Sequence, residues 1–179
     1  MASALRTPPF TIHQYLAFES PEGYRDELLY GRIILSPDPK PLHLDIAENT
    51  YRLLRSALGR KYKVGQRINL KFPDENSMPS PDVFVMEQKA WNTSAAANQY
   101  PGGKHVKLVV EILSPGNRAK QIQQKATLYA THGIEVWIVD PKLKQVKVNG
   151  KVCAIDIPLA LSKKSIAVTS IFKLPYDTA

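Results

Sequence analysis

The sequence contains a single cysteine, Cys153, in 179 residues. No disulfide can form within the chain, and a thiolate-based structural zinc site lacks its ligands. No apolar run approaches the roughly 18 to 20 residues that a membrane-spanning helix requires. The N-terminal MASALRTPPF lacks the apolar stretch of a secretory signal, so a cytoplasmic location is expected. There is no Walker A loop, no G-x-G-x-x-G turn and no G-x-S-x-G elbow. Acidic residues are the scarcer charge, 16 Asp and Glu against 24 Lys and Arg, for a formal net charge of +8. That excess favours a polyanionic partner, nucleic acid before an anionic membrane surface, but it also serves plain solubility. No arginine-rich tail or zinc-finger spacing singles out the partner.

The remaining composition is that of a globular chain, 44% hydrophobic and 22% charged. The length suits a single domain over residues 1–179, with 1–10 as an arm halted by Pro8 and Pro9. Thr11-Ile-His-Gln14 is a capping-box pattern and predicts a short helix over 11–18. RDELLY and RIILS, joined at Gly31, predict a hairpin. Pro37, Pro39 and Pro41 make 36–41 a loop. Ile46, Ala47, Tyr51, Leu54, Ala57 and Leu58 recur on one helical face, predicting a helix from about 43 to 58 that stops at Gly59.

Residues 62–72 read as a strand with Gly65 as a bulge, and 83–86 as a short buried strand. The stretch 88–104 reads as a long surface loop, whose Trp91 and Tyr100 either stack on bases or pin the loop. KLVVEIL at 107–113 is a strand covered on both faces. A helix over 118–131 ends at Gly133, and IEVWIVD at 134–140 is a further buried strand. Residues 107–140 therefore form a strand–helix–strand unit with a parallel crossover. Short strands fill 144–173, with Cys153 in an apolar one, as a core residue. The class is α/β, a mixed β-sheet flanked by helices.

Within this frame Glu111 stands out, because it interrupts the apolar run Leu108 to Leu113. A buried carboxylate is costly unless a cation, a metal or a proton accompanies it. Asp82 follows Pro81 and opens a buried strand, although a Pro-Asp pair is also common in turns. In the hairpin, alternation sends Glu27 with Leu29 one way and Asp26 with Leu28 the other. One acid must share a face with a leucine, and the pattern leaves open which. Carboxylates from separate elements that met in space would suit a hard cation, Mg²⁺ or Mn²⁺.

Lys125 stacks one turn after Gln121 on the helix. It is either a solvated surface lysine or, if that face packs beside Glu111, a group that can orient water and offset charge. His43, at the head of the long helix, either caps it or touches a phosphate. His13, His105 and His132 show no metal-ligand spacing. A glycosidase-type carboxylate pair uses the same residue types, but gives Lys125 and the basic charge no role.

An Asp after Pro, a Glu inside a hydrophobic strand and then a lysine together resemble the PD-(D/E)xK nuclease superfamily. DELLYGRIILSP with His43 shortly after, SPDVFV, and VVEILSPGNRAKQIQQKATLYATHGIEVWIVDP are more closely similar to the Uma-type restriction endonuclease family. The similarity spans roughly residues 11–145. It implies a restriction-endonuclease-like core and Mg²⁺-dependent (or Mn²⁺-dependent) hydrolysis of phosphodiester bonds. The family's acidic positions map to Glu27, Asp82 and Glu111, with Asp82 and Glu111 as metal ligands. The superfamily lysine normally lies two residues after the Glu, where this chain has Leu113. The family draws its amine from the next helix, which maps to Lys125. Four residues earlier the family carries an Asp, where this chain has Gln121, which can still hold a water. The resemblance therefore implies a cytoplasmic DNA endonuclease with Glu27, Asp82, Glu111 and Lys125 catalytic, and His43 and Gln121 against the substrate. A homodimer is expected because two-fold pairs are the commonest assembly. The rival expectation, motivated by Gln121, is a catalytically inactive nucleic-acid-binding or scaffold protein with the same fold.

Overall fold

The computed structural model describes residues 9–114 and 119–174. Most of the expected N-terminal arm lies outside the described residues, as do the SPGN turn after Ser114 and the start of the following helix at 118. The chain opens with α1 (Ile12–Tyr15), capped by Thr11 through the expected capping box with Gln14. The hairpin follows as β1 (Tyr24–Leu29) and β2 (Arg32–Pro37), paired antiparallel. Its turn residues Tyr30 and Gly31 both have positive φ, 50° and 72°. That is the left-handed geometry that matches the twist of a two-residue hairpin. The hairpin forms a sheet of its own. Helix α2 (Pro41–Leu58) places a proline in its first turn, where no N–H is missed, and ends at Gly59 with φ 63°.

A six-stranded mixed sheet is built from β3 (Tyr62–Gly65), β4 (Val83–Glu87), β5 (Val106–Ile112), β6 (Glu135–Asp140), β7 (Gln145–Val148) and β8 (Lys151–Cys153), in that spatial order. β5 and β6 run parallel, as a strand–helix–strand unit requires, and the other neighbours run antiparallel. Helix α3 (Gln88–Ala96) follows β4, and α4 (Ala119–Thr131) connects β5 to β6. A two-stranded ribbon of β9 (Asp156–Pro158) and β10 (Ser165–Ala167) then leads into α5 (Val168–Ile171).

Side-chain alternation on the central strands sorts the core into two layers. Val83, Val85, Leu108, Val110 and Ile112 pack with α2 residues Ile46, Ala47, Leu54 and Leu58. Phe84, Met86 and Val109 pack on the other face with Leu128 and Tyr129 of α4, and with Leu29 of the hairpin. Glu111 has the parity of Val109, so it belongs to the face that α4 covers. Asp82 has the parity of Phe84. The fold therefore directs both acids to one side of the sheet, at the end where β4 starts and β5 finishes.

Several expectations are corrected. Residues 88–104 are not one long loop, because α3 occupies the first half. Gln88, Lys89, Ala90, Ala95 and Ala96 are strong helix formers, and Trp91 packs on Phe84 with ring centroids 6.0 Å apart. Trp91 is thereby a packing residue, with Lys63 Nζ 4.5 Å from its ring centroid. β3 stops at Gly65 instead of running to 72, and a side chain at 65 would strike the ring of Phe84. Cys153 is half-buried on the edge strand β8 and not a core residue. No helix among the described residues is long and apolar enough to cross a membrane.

Candidate active site

Asp82 reaches its position through Pro79-Ser80-Pro81, a segment that the two prolines keep extended. The segment is tied in by Leu70 N–H donating to Pro79 O at 2.8 Å and Arg67 N–H donating to Pro81 O at 3.1 Å. The Asp82 carboxylate is buried. Its Oδ2 accepts from the backbone N–H of Ile112 at 2.8 Å, and its Oδ1 lies 2.7 Å from His43 Nε2. Burial alone would raise its pKa. The hydrogen bond and charge of His43, the Ile112 N–H and the charge of Lys125 together hold it below the ordinary carboxylate value.

Glu111 sits one residue before that Ile112 N–H and is also buried. Its Oε2 is 2.7 Å from Lys125 Nζ, and its Oε1 accepts from the Tyr129 hydroxyl at 3.0 Å. Lys125 and Tyr129 are one turn apart on α4, so both reach the same carboxylate. Lys125 Nζ also lies 2.8 Å from Glu27 Oε1, and that oxygen accepts the Ser80 N–H. Alternation on β1 is thus resolved: Glu27 turns toward α4, while Asp26 accepts from Ser20. Burial is the largest influence on Glu111. The charge of Lys125 pulls its pKa down, Glu27 and Asp82 push it up, and it stands at about 8. Burial works against the charge on Lys125, but its two carboxylate partners hold its pKa above the ordinary lysine value.

These groups line one cavity of about 830 Å³. Glu27, Asp82, Glu111, Lys125 and His43 are all on its wall. Gln121 is half-buried one turn before Lys125 and is not among the lining residues. His43 neither caps α2 nor stands on the surface. It is buried and orients Asp82. His105 and His132 pair with Glu87 and Glu75 away from this wall. Sequence reasoning missed Arg25, which lines the same cavity with its Nη1 4.0 Å from Asp82 Oδ1. Its spacing of two from Glu27 on one strand was the available signal. Arg67, also on the wall, carried no such signal.

Among the described residues, no three His, Cys, Asp or Glu side chains are grouped so as to enclose a metal ion. Mg²⁺ seldom uses an all-protein cage. It is held by one or two carboxylates, with waters and substrate phosphate completing its shell. A buried pair of hard oxygen donors, one of them driven toward protonation by burial and further by its acidic neighbours, fits such an ion. A soft-metal site would need sulfur or several imidazoles.

Comparison with known proteins bears on the family and the fold. A family model described as "Uma2: Putative restriction endonuclease" matches residues 12–158. A solved structure, that of a "putative nuclease belonging to DUF820 from Anabaena variabilis", is similar with a TM-score of 0.74 at 18% sequence identity. The match covers 92% of this chain and 98% of that one. No curated protein matches the chain.

Proposed function

The chain belongs to the Uma2 family, and from that premise we propose that it is a divalent-metal-dependent nuclease that hydrolyses phosphodiester bonds of DNA. One observation carries the reading. Lys125 Nζ bridges Glu27 and Glu111 at 2.8 and 2.7 Å, in the cavity that Asp82 also lines. Acids from β1, the start of β4 and β5 converge there with an amine from α4.

Asp82 and Glu111 would hold Mg²⁺ or Mn²⁺. Bound there, the ion polarises a phosphoryl oxygen and lowers the pKa of a water. The chain's own residues do the rest. Lys125 is an ammonium with no lone pair, so it orients the attacking water and offsets charge growing on the phosphate oxygens. Glu27 fixes the rotamer of Lys125. His43 and the Ile112 N–H aim the Asp82 carboxylate. The water oxygen forms a bond to phosphorus while the bond to the leaving deoxyribose oxygen breaks. One proton of the water passes to solvent and the departing oxygen takes one from solvent, leaving a phosphate monoester and a free hydroxyl.

A second reading, a nucleic-acid binder without catalysis, is favoured by Gln121 standing away from the cavity wall. The test is incubation of supercoiled plasmid with purified protein and Mg²⁺ or Mn²⁺. Metal-dependent nicking that disappears in Asp82→Asn supports the nuclease. Salt-sensitive DNA binding with no nicking at any protein concentration supports the binder.

A further inference from the structure

Two arginines at the cavity have no part in the hydrolytic scheme. Arg25 precedes Glu27 by two residues on β1, so both side chains leave the same face of the hairpin. Its approach to Asp82 Oδ1, 4.0 Å, is at the limit of an ion pair, and His43 already holds that oxygen at 2.7 Å. The Arg25 Nε is buried and has no hydrogen-bond partner among the described residues. A buried guanidinium N–H without an acceptor is costly, and buried polar groups in folded proteins are otherwise paired.

Arg67 follows β3 with a φ of 49°, a left-handed backbone that arginine rarely adopts. Its N–H is bonded to Pro81 O, the residue before Asp82, so the strained residue is fixed beside the carboxylate site. Such strain clusters where a side chain must be aimed at a ligand. Among the described residues no carboxylate makes an ion pair with Arg67. Partial burial lowers its pKa first and the charge of Arg25 lowers it further, while Asp82 and Asp38 act in the opposite sense. Two like charges therefore share one wall, Arg25 at the limit of an ion pair with Asp82 and Arg67 with no ion pair among the described residues.

We propose that Arg25 and Arg67 form a phosphate subsite that grips the nucleic-acid backbone next to the cleaved phosphate, an inference that rests on the nuclease reading above. A guanidinium presents a planar fork of N–H donors that matches phosphate oxygens. The acidic wall of Glu27, Asp82 and Glu111 repels a polyanion, and a fixed cationic pair beside Asp82 offsets that repulsion. Lys40 and Lys142 also line the cavity, beside Asp38 and Asp140.

The test is fluorescence anisotropy of a short labelled DNA duplex, and of the matching single strand, titrated with salt in Ca²⁺ so that binding is read without cleavage. Arg67→Gln is expected to weaken binding evenly across sequences and to reduce the slope of log K against log salt by about one. Arg67→Lys keeps the charge, and should hold the slope while losing affinity. Arg67→Asn tolerates the left-handed backbone, and replaces Arg67→Gln if circular dichroism shows the latter unfolded. A wild-type slope in the neutral variants, with metal-dependent nicking intact in the wild type, overturns the subsite and leaves the nuclease standing. Reduced slopes with no nicking by the wild type overturn the nuclease and keep the phosphate grip. Absence of wild-type binding to either strand form at low salt overturns both.

Discussion

The Tyr129 hydroxyl donates to Glu111 Oε1 at 3.0 Å, and both groups are buried under α4. Tyr129 therefore does more than fill the core against Phe72. It supplies a hydrogen bond to a carboxylate that burial pushes toward protonation. Tyr129→Phe keeps the ring and removes the donor. Leaving a buried acceptor short of a partner is expected to cost about 1–3 kcal/mol in urea unfolding. Removing a donor to the charged form should also move the titration of Glu111 to higher pH. A purely structural tyrosine would change the first measurement and not the second.

Lys125 is the cation that two acids share, so its removal and theirs should not be additive. Lys125→Met keeps much of the stem and leaves Glu27 and Glu111 facing each other unpaired. Breaking a buried pair in this way costs about 3–5 kcal/mol. Above about pH 8, where Glu111 is ionised, adding Glu111→Gln removes the stranded charge, so there the double variant should be more stable than Lys125→Met alone. Denaturant midpoints of the four proteins in the cycle measure this coupling. Nicking should fall by roughly 10² to 10⁴ in Lys125→Met, the range for a lost proton-handling or charge-offsetting group. If the double variant is the less stable, the shared ion pair is not what holds Lys125.

The extent to which this site can be read from sequence follows the physics of each residue. Glu111 is legible because a carboxylate inside an apolar strand has a cost that something must offset. Lys125 is half legible. Helix spacing puts it on a face with Gln121, but only the packing of α4 over the face shared by Val109 and Glu111 makes that face the inner one. Gln121, one turn earlier on the same helix, is not on the cavity wall. His43 was open between cap and phosphate contact because nothing local reveals that the start of α2 abuts Asp82. Arg67 combines a left-handed backbone with a bond from its N–H to Pro81 O, and no spacing encodes either. In the fold, the helix α3 was hidden by the Asn, Gly and Pro that follow it.

His43 holds Asp82 Oδ1 at 2.7 Å, with the Ile112 N–H on the other oxygen. In the proposed scheme it positions a metal ligand and does not touch the substrate. Changes to such outer partners usually cost about 10- to 100-fold in metal affinity or activity. His43→Ala should lose affinity for Mn²⁺ in that range by calorimetry. His43→Gln, which can still donate, should retain more. Acid stability provides a separate readout. The folded-state pKa of Asp82 lies below its unfolded value, so the stability it contributes is present above about 3.8 and fades as pH falls through the lower folded value. His43→Ala removes the hydrogen bond and charge behind that depression, so acid unfolding should begin at higher pH. Identical acid transitions in His43→Ala and the wild type would mean that the contact does not hold Asp82 ionised.

Glu111 titrates in the opposite sense, and this gives the proposed metal site a pH signature. Its pKa is raised from 4.5 to about 8, chiefly by burial and further by Glu27 and Asp82. The folded apo protein therefore holds a proton there that the unfolded chain has lost. The resulting stability is complete below about 4.5 and declines as pH rises through about 8. A metal ligand must shed that proton, so Mn²⁺ binding should release one proton below pH 8 and none well above it. Affinity should rise about tenfold per pH unit up to about pH 8 and then level off. Calorimetry in buffers of different ionisation enthalpy reads the proton directly. In Glu111→Gln the proton release should vanish, leaving a weak site on Asp82 whose affinity is flat from about pH 6 to about pH 9. Flat affinity in the wild type over that interval would remove Glu111 from the metal and leave it as a structural partner of Lys125 and Tyr129.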